Sequence, residues 1–121
     1  MKITEIAFTG YPVTDLKRAR RFYEDVLKLT PSHIFGDETT GFIEYDIGPG
    51  TIAIGNGAPE WKPNAGGGCV TLEVESLEVA LKMLDDKGVA HKPPIETPVC
   101  GMIMLADPDG NSLILHKRKA R

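Results

Sequence analysis

The feature that most constrains the fold is an internal repeat. Residues 13–19 match residues 74–80 at an offset of 61 positions, and each match opens a segment with apolar residues at helical spacing. The two apolar stripes comprise Leu16, Ala19, Phe22, Tyr23, Val26 and Leu27 in the first copy, and Leu77, Ala80, Leu81 and Leu84 in the second. Such self-similarity predicts two copies of one structural module, each containing an amphipathic helix.

Strand-like segments surround both predicted helices in the same order. Good N-cap residues open the helices, namely Thr14 or Asp15 in the first and Ser76 in the second. The expected strands are residues 3–9, 42–47 and 51–55 around the first helix, residues 69–74, 101–106 and 112–117 around the second, and shorter strands near 33–36 and 89–92. We therefore predict an α+β fold in which two βαβββ modules form a curved mixed sheet, a cup with helices on its outer face.

The length of 121 residues predicts a single domain, residues 1–121. The modules are expected at residues 2–55 and 69–117, because the intervening residues 56–68 are too rich in glycine and proline for regular structure. Each half alone is too small to bury a comfortable core, so we expect the halves to share one core or one sheet.

Composition excludes several classes of function. Four of the last five residues are basic, and without those four charges the net charge of −3 becomes −7. An acidic body disfavours nucleic acid as a partner. The chain has no apolar run of membrane-spanning length and no signal-peptide pattern at its N-terminus, and it has only two cysteines. We therefore expect a cytoplasmic protein without a membrane partner.

Alternation along the strands predicts a site. In residues 42–47, Ile43, Tyr45 and Ile47 form one face, and Phe42, Glu44 and Asp46 form the other. An apolar face covered by a helix and a mixed face opposite it are typical of a curved sheet that holds a small molecule. An exposed sheet face or a dimer interface explains the same pattern.

The modules and their motifs resemble the vicinal oxygen chelate superfamily, which contains glyoxalase I, extradiol dioxygenases, fosfomycin-resistance proteins and bleomycin-resistance proteins. The resemblance covers residues 2–117 and rests on three segments. They are Val13-Thr14-Asp15-Leu16, the helix from Arg21 to Leu27 with Phe22-Tyr23, and the turn Asp107-Pro108-Asp109-Gly110-Asn111. It implies the duplicated fold above, but one fold hosts many reactions.

In metal-using members, four cup-facing positions supply the ligands. The resemblance places these positions at Phe8, Ile54, Cys69 and Ile114, and a slip of one residue would replace Ile54 by Ala53 or Gly55. Carbon side chains have no lone pair to donate, and Cys69 alone cannot hold a catalytic divalent ion. We therefore expect no metal and no other cofactor.

The remaining candidate ligand contacts are polar or polarisable residues near the expected cup. They are Glu44, Trp61 in the connector, Met102, Met104 and His116. Trp61 is expected either to cover the pocket or to anchor the connector, and His116 either to bind a ligand or to lie at a frayed strand end. His33 and His91 are expected to face solvent, and Cys69 and Cys100 to be small buried residues.

The combined expectation is a homodimeric, metal-free binder of a small organic molecule that is hydrophobic or aromatic and neutral or cationic. No catalytic residue is assigned. Two alternatives stay open. One is an enzyme, either a metal-dependent lyase or dioxygenase that uses Glu44, Glu73 and His116 as unusual ligands, or a metal-free isomerase. The other is a structural dimer with a vestigial cup.

Overall fold

A computed structural model describes residue 2, residues 4–59 and residues 61–120. The chain divides into two compact units, residues 1–63 and 64–121, and the boundary falls inside the connector predicted at residues 56–68. In the described residues, no helix is both long enough and apolar enough to cross a membrane.

The first unit contains four strands and one helix. Strand β1 (Thr9–Pro12) precedes helix α1 (Leu16–Arg20), which continues through a π-helical turn (Arg21–Val26); strands β2 (His33–Gly36), β3 (Gly41–Ile47) and β4 (Gly50–Gly55) follow. The sheet order is β1-β4-β3-β2, with β1 parallel to β4 and the other pairs antiparallel.

The second unit repeats this plan. Its elements are β5 (Val70–Glu73), α2 (Leu77–Asp86), β6 (Ile95–Glu96), β7 (Cys100–Ala106) and β8 (Ser112–Arg118), in the sheet order β5-β8-β7-β6. Strand β5 is parallel to β8, and the other pairs are antiparallel. The predicted α+β class with two βαβββ modules is confirmed.

Both helices begin at predicted N-cap residues. The Asp15 carboxylate accepts a hydrogen bond from the Arg18 amide at 3.1 Å, and the Ser76 hydroxyl accepts one from the Val79 amide at 3.2 Å. These bonds satisfy amides that have no partner within the first helical turn. Of the two N-cap candidates in the first copy, Asp15 is therefore the cap.

The helix of the first unit packs on one face of its sheet. Tyr45 of β3 is fully buried, stacks on Tyr23 with ring centroids 6.0 Å apart, and donates a hydrogen bond from its hydroxyl to Glu24 Oε2 at 2.9 Å. Burial raises the pKa of Tyr45 well above its usual value, so this hydroxyl stays protonated. Glu24 also pairs with Arg20 Nε at 2.6 Å. The opposite face of the sheet is left without a helix from this unit.

The second sheet has the same two faces. Ile103 pairs with Leu115 on the helix side of the sheet, where Leu105, Leu113 and Leu84 of α2 are buried as well. The other face carries Met102, Met104, Ile114 and His116, because successive side chains of a strand point to opposite sides. We call the helix-free side of each sheet its open face.

Equivalent residues of the two modules are 61 positions apart in the outer pair of strands and 60 positions apart in the middle strands. Thr9 pairs with Ile52, and 61 residues further on Val70 pairs with Leu113. In the middle strands the offset is 60, since Phe35 pairs with Phe42 and Ile95 with Met102. The π-helical turn of the first module adds a residue, with the Leu27 amide bonded to the Phe22 carbonyl five residues back. The second module recovers that residue in the longer turn between β7 and β8.

The turn Asp107–Asn111 is held by its own side chains. Asp107 Oδ1 accepts hydrogen bonds from the amides of Asp109 and Asn111, both at 2.9 Å, and Asp107 Oδ2 accepts one from Asn111 Nδ2 at 2.9 Å. Gly110 adopts a positive φ of 85° that a side chain would disfavour. This motif therefore stabilises the hairpin.

Two strand predictions are wrong. The first strand lies at Thr9–Pro12 instead of residues 3–9, of which residue 3 lies outside the described residues. Moving the well-placed segment 69–74 back by the repeat offset would have given 8–13. Around residues 89–92 the structure has only a single bridge, between His91 and Leu105, and the strand comes later at Ile95–Glu96. Pro93 and Pro94 interrupt the ladder there, because proline has no amide hydrogen.

Candidate functional site

The open face of the first sheet carries the mixed residues that the sequence indicated. Phe42 and Glu44 of β3 lie on the side opposite Ile43 and Tyr45, which face the helix. By the same alternation, Gly10 of β1 belongs to the open face.

The predicted orientation of Ile54 is wrong. Ile54 pairs directly with Ile43 and is fully buried on the helix side, so Ala53 takes the open-face position. The prediction counted four residues beyond Gly50, as Ile114 lies four beyond Gly110. The first hairpin turn is one residue shorter, so the equivalent of Ile114 lies 61 residues earlier, at Ala53.

An aromatic cluster occupies this open face. The rings of Phe8 and Phe42 meet edge to face with centroids 5.6 Å apart, and Phe35 of the edge strand β2 lies 6.4 Å from Phe42. Phe8 was a predicted site residue. Phe35 and Phe42 were missed, although the alternation in β3 already placed Phe42 on the same face as Glu44.

The indole of Trp61 packs against the backbone of two glycine residues, Gly10 and Gly55. A Cβ added to Gly10 would lie 3.1 Å from two atoms of the indole, and one added to Gly55 would lie 3.5 Å from a third. The same Gly55 position would also come within 2.9 Å of the Phe42 ring. These two glycines therefore leave the room in which the indole and the Phe42 ring lie close to the sheet.

The rings of Phe35, Phe42 and Trp61 border a cleft of about 510 Å³, which we call the aromatic cleft. Its volume is in the range of small-molecule sites. Among the described residues that line it, Thr40 is the single one with a polar side chain other than the indole. The full lining is Phe35, Gly36, Thr40, Gly41, Phe42, Gly55, Gly57, Ala58 and Trp61.

A polar pair lies beside the aromatic cleft on the same open face. His33 Nδ1 is 3.3 Å from Glu44 Oε1, and the two residues are cross-strand partners. The His33 ring also stacks on Phe35, with centroids 6.2 Å apart. His33 keeps more than half of its side chain exposed, so the predicted solvent-facing position is correct, but the contact with the candidate residue Glu44 was not foreseen.

The second unit has a separate apolar pocket on its own open face. Cys69, Met104 and Ile114, all predicted site residues, line a pocket of about 530 Å³. Met104 and Ile114 are direct cross-strand partners. Cys69 is exposed, so the expectation that it is a small buried residue is wrong, whereas Cys100 is buried as expected.

His91 also lines this second pocket, with its ring oriented by two acceptors. Its Nε2 lies 2.7 Å from Asp85 Oδ1, and its Nδ1 lies 2.8 Å from the Lys92 carbonyl oxygen. Both acceptors raise the pKa of His91 above 6.5, and the Asp85 carboxylate has the larger effect. The predicted solvent-facing position of His91 is wrong, since most of its side chain is covered.

Met102 and His116 lie farther along the open face of the second sheet as cross-strand partners. His116 Nδ1 lies 2.5 Å from Glu73 Oε1, and Glu73 Oε2 accepts a hydrogen bond from the Arg118 amide at 2.8 Å. Hydrogen bonds from the Arg118 amide and from His116 lower the pKa of Glu73 below its usual value, and the bond from the amide has the larger effect. His116 therefore lies within an ordered polar network rather than at a frayed strand end.

The side chains at the family's metal positions do not fit a divalent ion. Phe8, Ala53 and Ile114 offer only carbon atoms, which leaves the Cys69 thiol as the one donor among the four. The described residues contain no group of three or more histidine, cysteine, aspartate or glutamate side chains that could hold a metal ion.

Comparison with known proteins bears on the fold and the family. Residues 5–115 match the family model described as Glyoxalase/Bleomycin resistance protein/Dioxygenase superfamily. Among solved structures, TnmS3, an antibiotic binding protein from Streptomyces sp. CB03234, gives a TM-score of 0.81 at 21% identity, covering 98% of this chain and 99% of that chain.

Two further solved structures show the same architecture. A glyoxalase/bleomycin resistance protein, also from Streptomyces sp. CB03234, gives a TM-score of 0.74 at 22% identity over 92% of this chain and 98% of that one. The integron cassette protein VCH_CASS1 of V. cholerae gives 0.72 at 24% identity over 97% of each chain. At these identities the likeness concerns the fold alone. No match was found among the curated proteins.

Proposed function

Because the chain belongs to the Glyoxalase/Bleomycin resistance protein/Dioxygenase superfamily, we propose that it is a metal-free binder of a small hydrophobic or aromatic molecule. The antibiotic binding protein TnmS3 is a precedent for binding on this fold.

The observation that carries the proposal is the aromatic cleft of the first unit. Trp61 and Phe42 lie close to the sheet where Gly10 and Gly55 leave room, and Phe35 borders the same space. Flat rings around a cleft of about 510 Å³ offer large apolar contact areas and stacking faces. Such walls favour a planar, apolar ligand and give a phosphate or a dicarboxylate no partner.

The charge beside the cleft sets the preference among aromatic ligands. Glu44 is an acidic residue on this open face, two positions from Phe42, and its carboxylate already pairs with His33. A ligand with an amine or another cationic group can replace the imidazole as the partner of Glu44 while its ring stacks on the aromatic side chains. We therefore propose neutral or cationic aromatic compounds as the ligand class.

The predicted residues of the second unit stay in the proposal as apolar contacts. Cys69, Met104 and Ile114 line the pocket of that unit, and Met102 lies on the same open face. Thioether and thiol groups are polarisable and adapt to ligands of different shape. Ile54 of the first unit is buried on the helix side of its sheet and is therefore not among the proposed ligand contacts.

The metal-dependent enzyme alternative finds no support in the side chains named for it. Glu44 pairs with His33 in the first unit, whereas Glu73 and His116 pair with each other in the second. The donor set at the four family positions is a single thiol, which favours binding over metal-dependent lyase or dioxygenase chemistry.

We also propose that the two units act together as one glyoxalase-like domain and that the protein forms a cytoplasmic homodimer. The connector of 13 residues can span about 40 Å when extended, which is long enough to let modules pair within a chain or across two chains. Closed two-fold dimers are the commonest soluble assemblies. Light scattering at micromolar concentration tests this proposal: a dimer mass is expected, and a mass of 13.2 kDa would contradict it.

The fluorescence of Trp61 tests the binding proposal, because it is the single tryptophan of the chain. Titration with a set of neutral and cationic aromatic compounds is expected to change its emission saturably. Replacement of Phe35 by alanine should lower the affinity for the best ligand by roughly three- to tenfold, which corresponds to the loss of one aromatic contact.

Ile34→Ala is the matched control for Phe35→Ala. Ile34 is the preceding residue of the same edge strand, is about as exposed as Phe35, and pairs with Ile43 on the opposite face. Affinity should be unchanged in this variant. Equal loss in both variants would mean that the edge strand, and not the aromatic cleft, determines binding.

A further inference from the structure

A third pocket, more polar than the other two, lies at the end of β8 in the second unit. It has a volume of about 290 Å³ and is bordered by Val99, Cys100, His116, Arg118 and Lys119. This pocket differs from the aromatic cleft because it combines an imidazole with basic side chains.

The ring of His116 is held in one orientation. Glu73 Oε1 lies 2.5 Å from Nδ1, and the other carboxylate oxygen is fixed by the Arg118 amide at 2.8 Å. An ionised carboxylate only accepts hydrogen bonds, so Nδ1 carries the hydrogen. In the neutral ring the lone pair is then on Nε2, to which no residue in the described part of the chain is hydrogen-bonded. His116 thus has an available proton acceptor in a carboxylate-oriented imidazole.

The basic side chains beside His116 differ in their pairing. Lys119 Nζ lies 2.9 Å from Glu96 Oε2, so its charge is largely compensated. Arg118 forms no ion pair among residues 4–59 and 61–120, and its guanidinium acts on Glu73 only at longer range. Arg118 therefore supplies a positive charge without an ion-pair partner in the described part of the chain, at the pocket that His116 borders.

The other side of the pocket is apolar. Val99 is largely exposed, and the Cys100 thiol is buried, 3.3 Å from the Thr97 hydroxyl. A small carbon skeleton can therefore pack against Val99 while a polar group meets His116 and Arg118. The charged or titratable groups around His116 are Glu73 from β5, Arg118 from β8, Lys119 beyond it and Cys100 from β7.

We propose that this pocket binds small molecules with a weakly acidic hydroxyl group, a phenol or an enol, as their oxyanions. The O–H bond of the ligand breaks, its proton forms an N–H bond with His116 Nε2, and the oxygen keeps the electron pair. The resulting negative charge faces the Arg118 guanidinium. Glu73 acts as a positioning residue for the imidazole.

The probe for this proposal is 4-nitrophenol, whose anion absorbs visible light and whose neutral form does not. With the full-length protein, the apparent pKa of the bound probe should fall below that of the free probe. His116→Gln and Arg118→Gln should each abolish this shift and weaken binding about tenfold, as expected for a hydrogen bond to a charged group. Glu73→Gln should reduce the shift while binding persists.

Lys117→Gln is the matched control, because it removes the same charge one residue away. Lys117 pairs with Gly101 on the helix side of the sheet, so the shift should be retained. A pKa shift that survives His116→Gln and Arg118→Gln, or equal affinity for nitrobenzene, which lacks the hydroxyl, would overturn the proposal.

Trp61→Leu separates this site from the aromatic cleft. Retention of the shift in Trp61→Leu supports the polar pocket. If the shift is instead lost in Trp61→Leu and retained in His116→Gln, the probe binds in the aromatic cleft. That result would overturn this inference and leave the proposed function intact.

Discussion

The indole of Trp61 packs directly on the backbone at Gly10: a Cβ at that position would lie 3.1 Å from both Cη2 and Cζ2 of the ring. Contacts of that length are tighter than ordinary van der Waals contact, so a side chain at residue 10 requires the indole to move by a few tenths of an ångström. Gly10 therefore sets the position of the indole that lines the aromatic cleft, although Gly10 is not itself among the lining residues.

Gly10→Ala tests this relationship. The methyl group should push the indole away from the sheet and shift its fluorescence emission. The affinity for aromatic ligands should fall by roughly three- to tenfold. Fluorescence titration measures both effects. Gly68→Ala is the control, because a Cβ there meets no atom within 4 Å, and it should leave affinity unchanged. Unaltered binding in Gly10→Ala would show that the position of the indole does not matter.

Lys28 is expected to destabilise the first unit slightly. It ends the first helical segment with a φ of 61°, the left-handed conformation that favours glycine, whereas Gly88 has the corresponding φ of 67° after α2. Lys28→Gly should raise the free energy of unfolding by about 1 kcal/mol, as measured by urea denaturation.

The control for Lys28→Gly is Lys87→Gly. Lys87 caps α2 with an ordinary right-handed φ of −87°, so glycine there should lower the free energy of unfolding by about 0.5–1 kcal/mol. If both glycine variants are destabilised, strain at Lys28 is not relieved by removing its Cβ.

Asp107→Ala should destabilise the protein by roughly 2 kcal/mol, because two amides and the Asn111 side chain lose their acceptor in a buried turn. Chemical denaturation monitored by circular dichroism measures the change. Asp86→Ala, which removes an exposed carboxylate paired with Lys82, should cost only a few tenths of a kcal/mol. Similar losses in the two variants would contradict the structural role of the turn.

The stability contributed by His91 should decrease as pH rises. Its pKa is raised above 6.5 in the folded state by Asp85, so folding favours the protonated ring. The contribution is fully present below about pH 6.5 and is lost as the pH rises through the folded-state pKa, which lies above that value. Titration of the three histidines by NMR should find His91 above 6.5.

The variants Asp85→Asn and Asp86→Asn show which group raises the pKa of His91. Loss of the Asp85 carboxylate should return the pKa of His91 towards 6.5, whereas Asp86, which pairs with Lys82, should have little effect. An unchanged titration in Asp85→Asn would assign the shift to the Lys92 carbonyl instead.

The duplicated fold was predictable because helical spacing, caps and turns recur at a nearly constant offset. Asp15 and Ser76 are such caps, and they open the helices as expected. The error at Ile54 arose where the two copies differ in length by one residue. A one-residue slip moves a strand residue to the other face, which is why Ile54 was assigned to the open face that Ala53 occupies.

The aromatic cleft was only partly predictable. Trp61, which lines the cleft, and Phe8, whose ring packs on Phe42, were candidates. The packing of the indole on Gly10 was not predictable, because it joins a connector residue to a strand distant in sequence. Phe35 lies on an edge strand four residues long, and no periodic pattern of that length identifies its face. The pairing of His116 with Glu73 likewise depends on the parallel register of β5 and β8, which strand patterns alone do not specify.

Calorimetric titration of chelator-treated protein tests the central claim most directly. The ligand set contains neutral, cationic, phosphorylated and dicarboxylate compounds, and each is measured with the native protein and with Phe42→Ala. The account predicts that neutral or cationic aromatic compounds bind best without metal, and that Phe42→Ala weakens them by roughly three- to tenfold. Binding that requires added metal, or a preference for phosphorylated or dicarboxylate ligands, would contradict it.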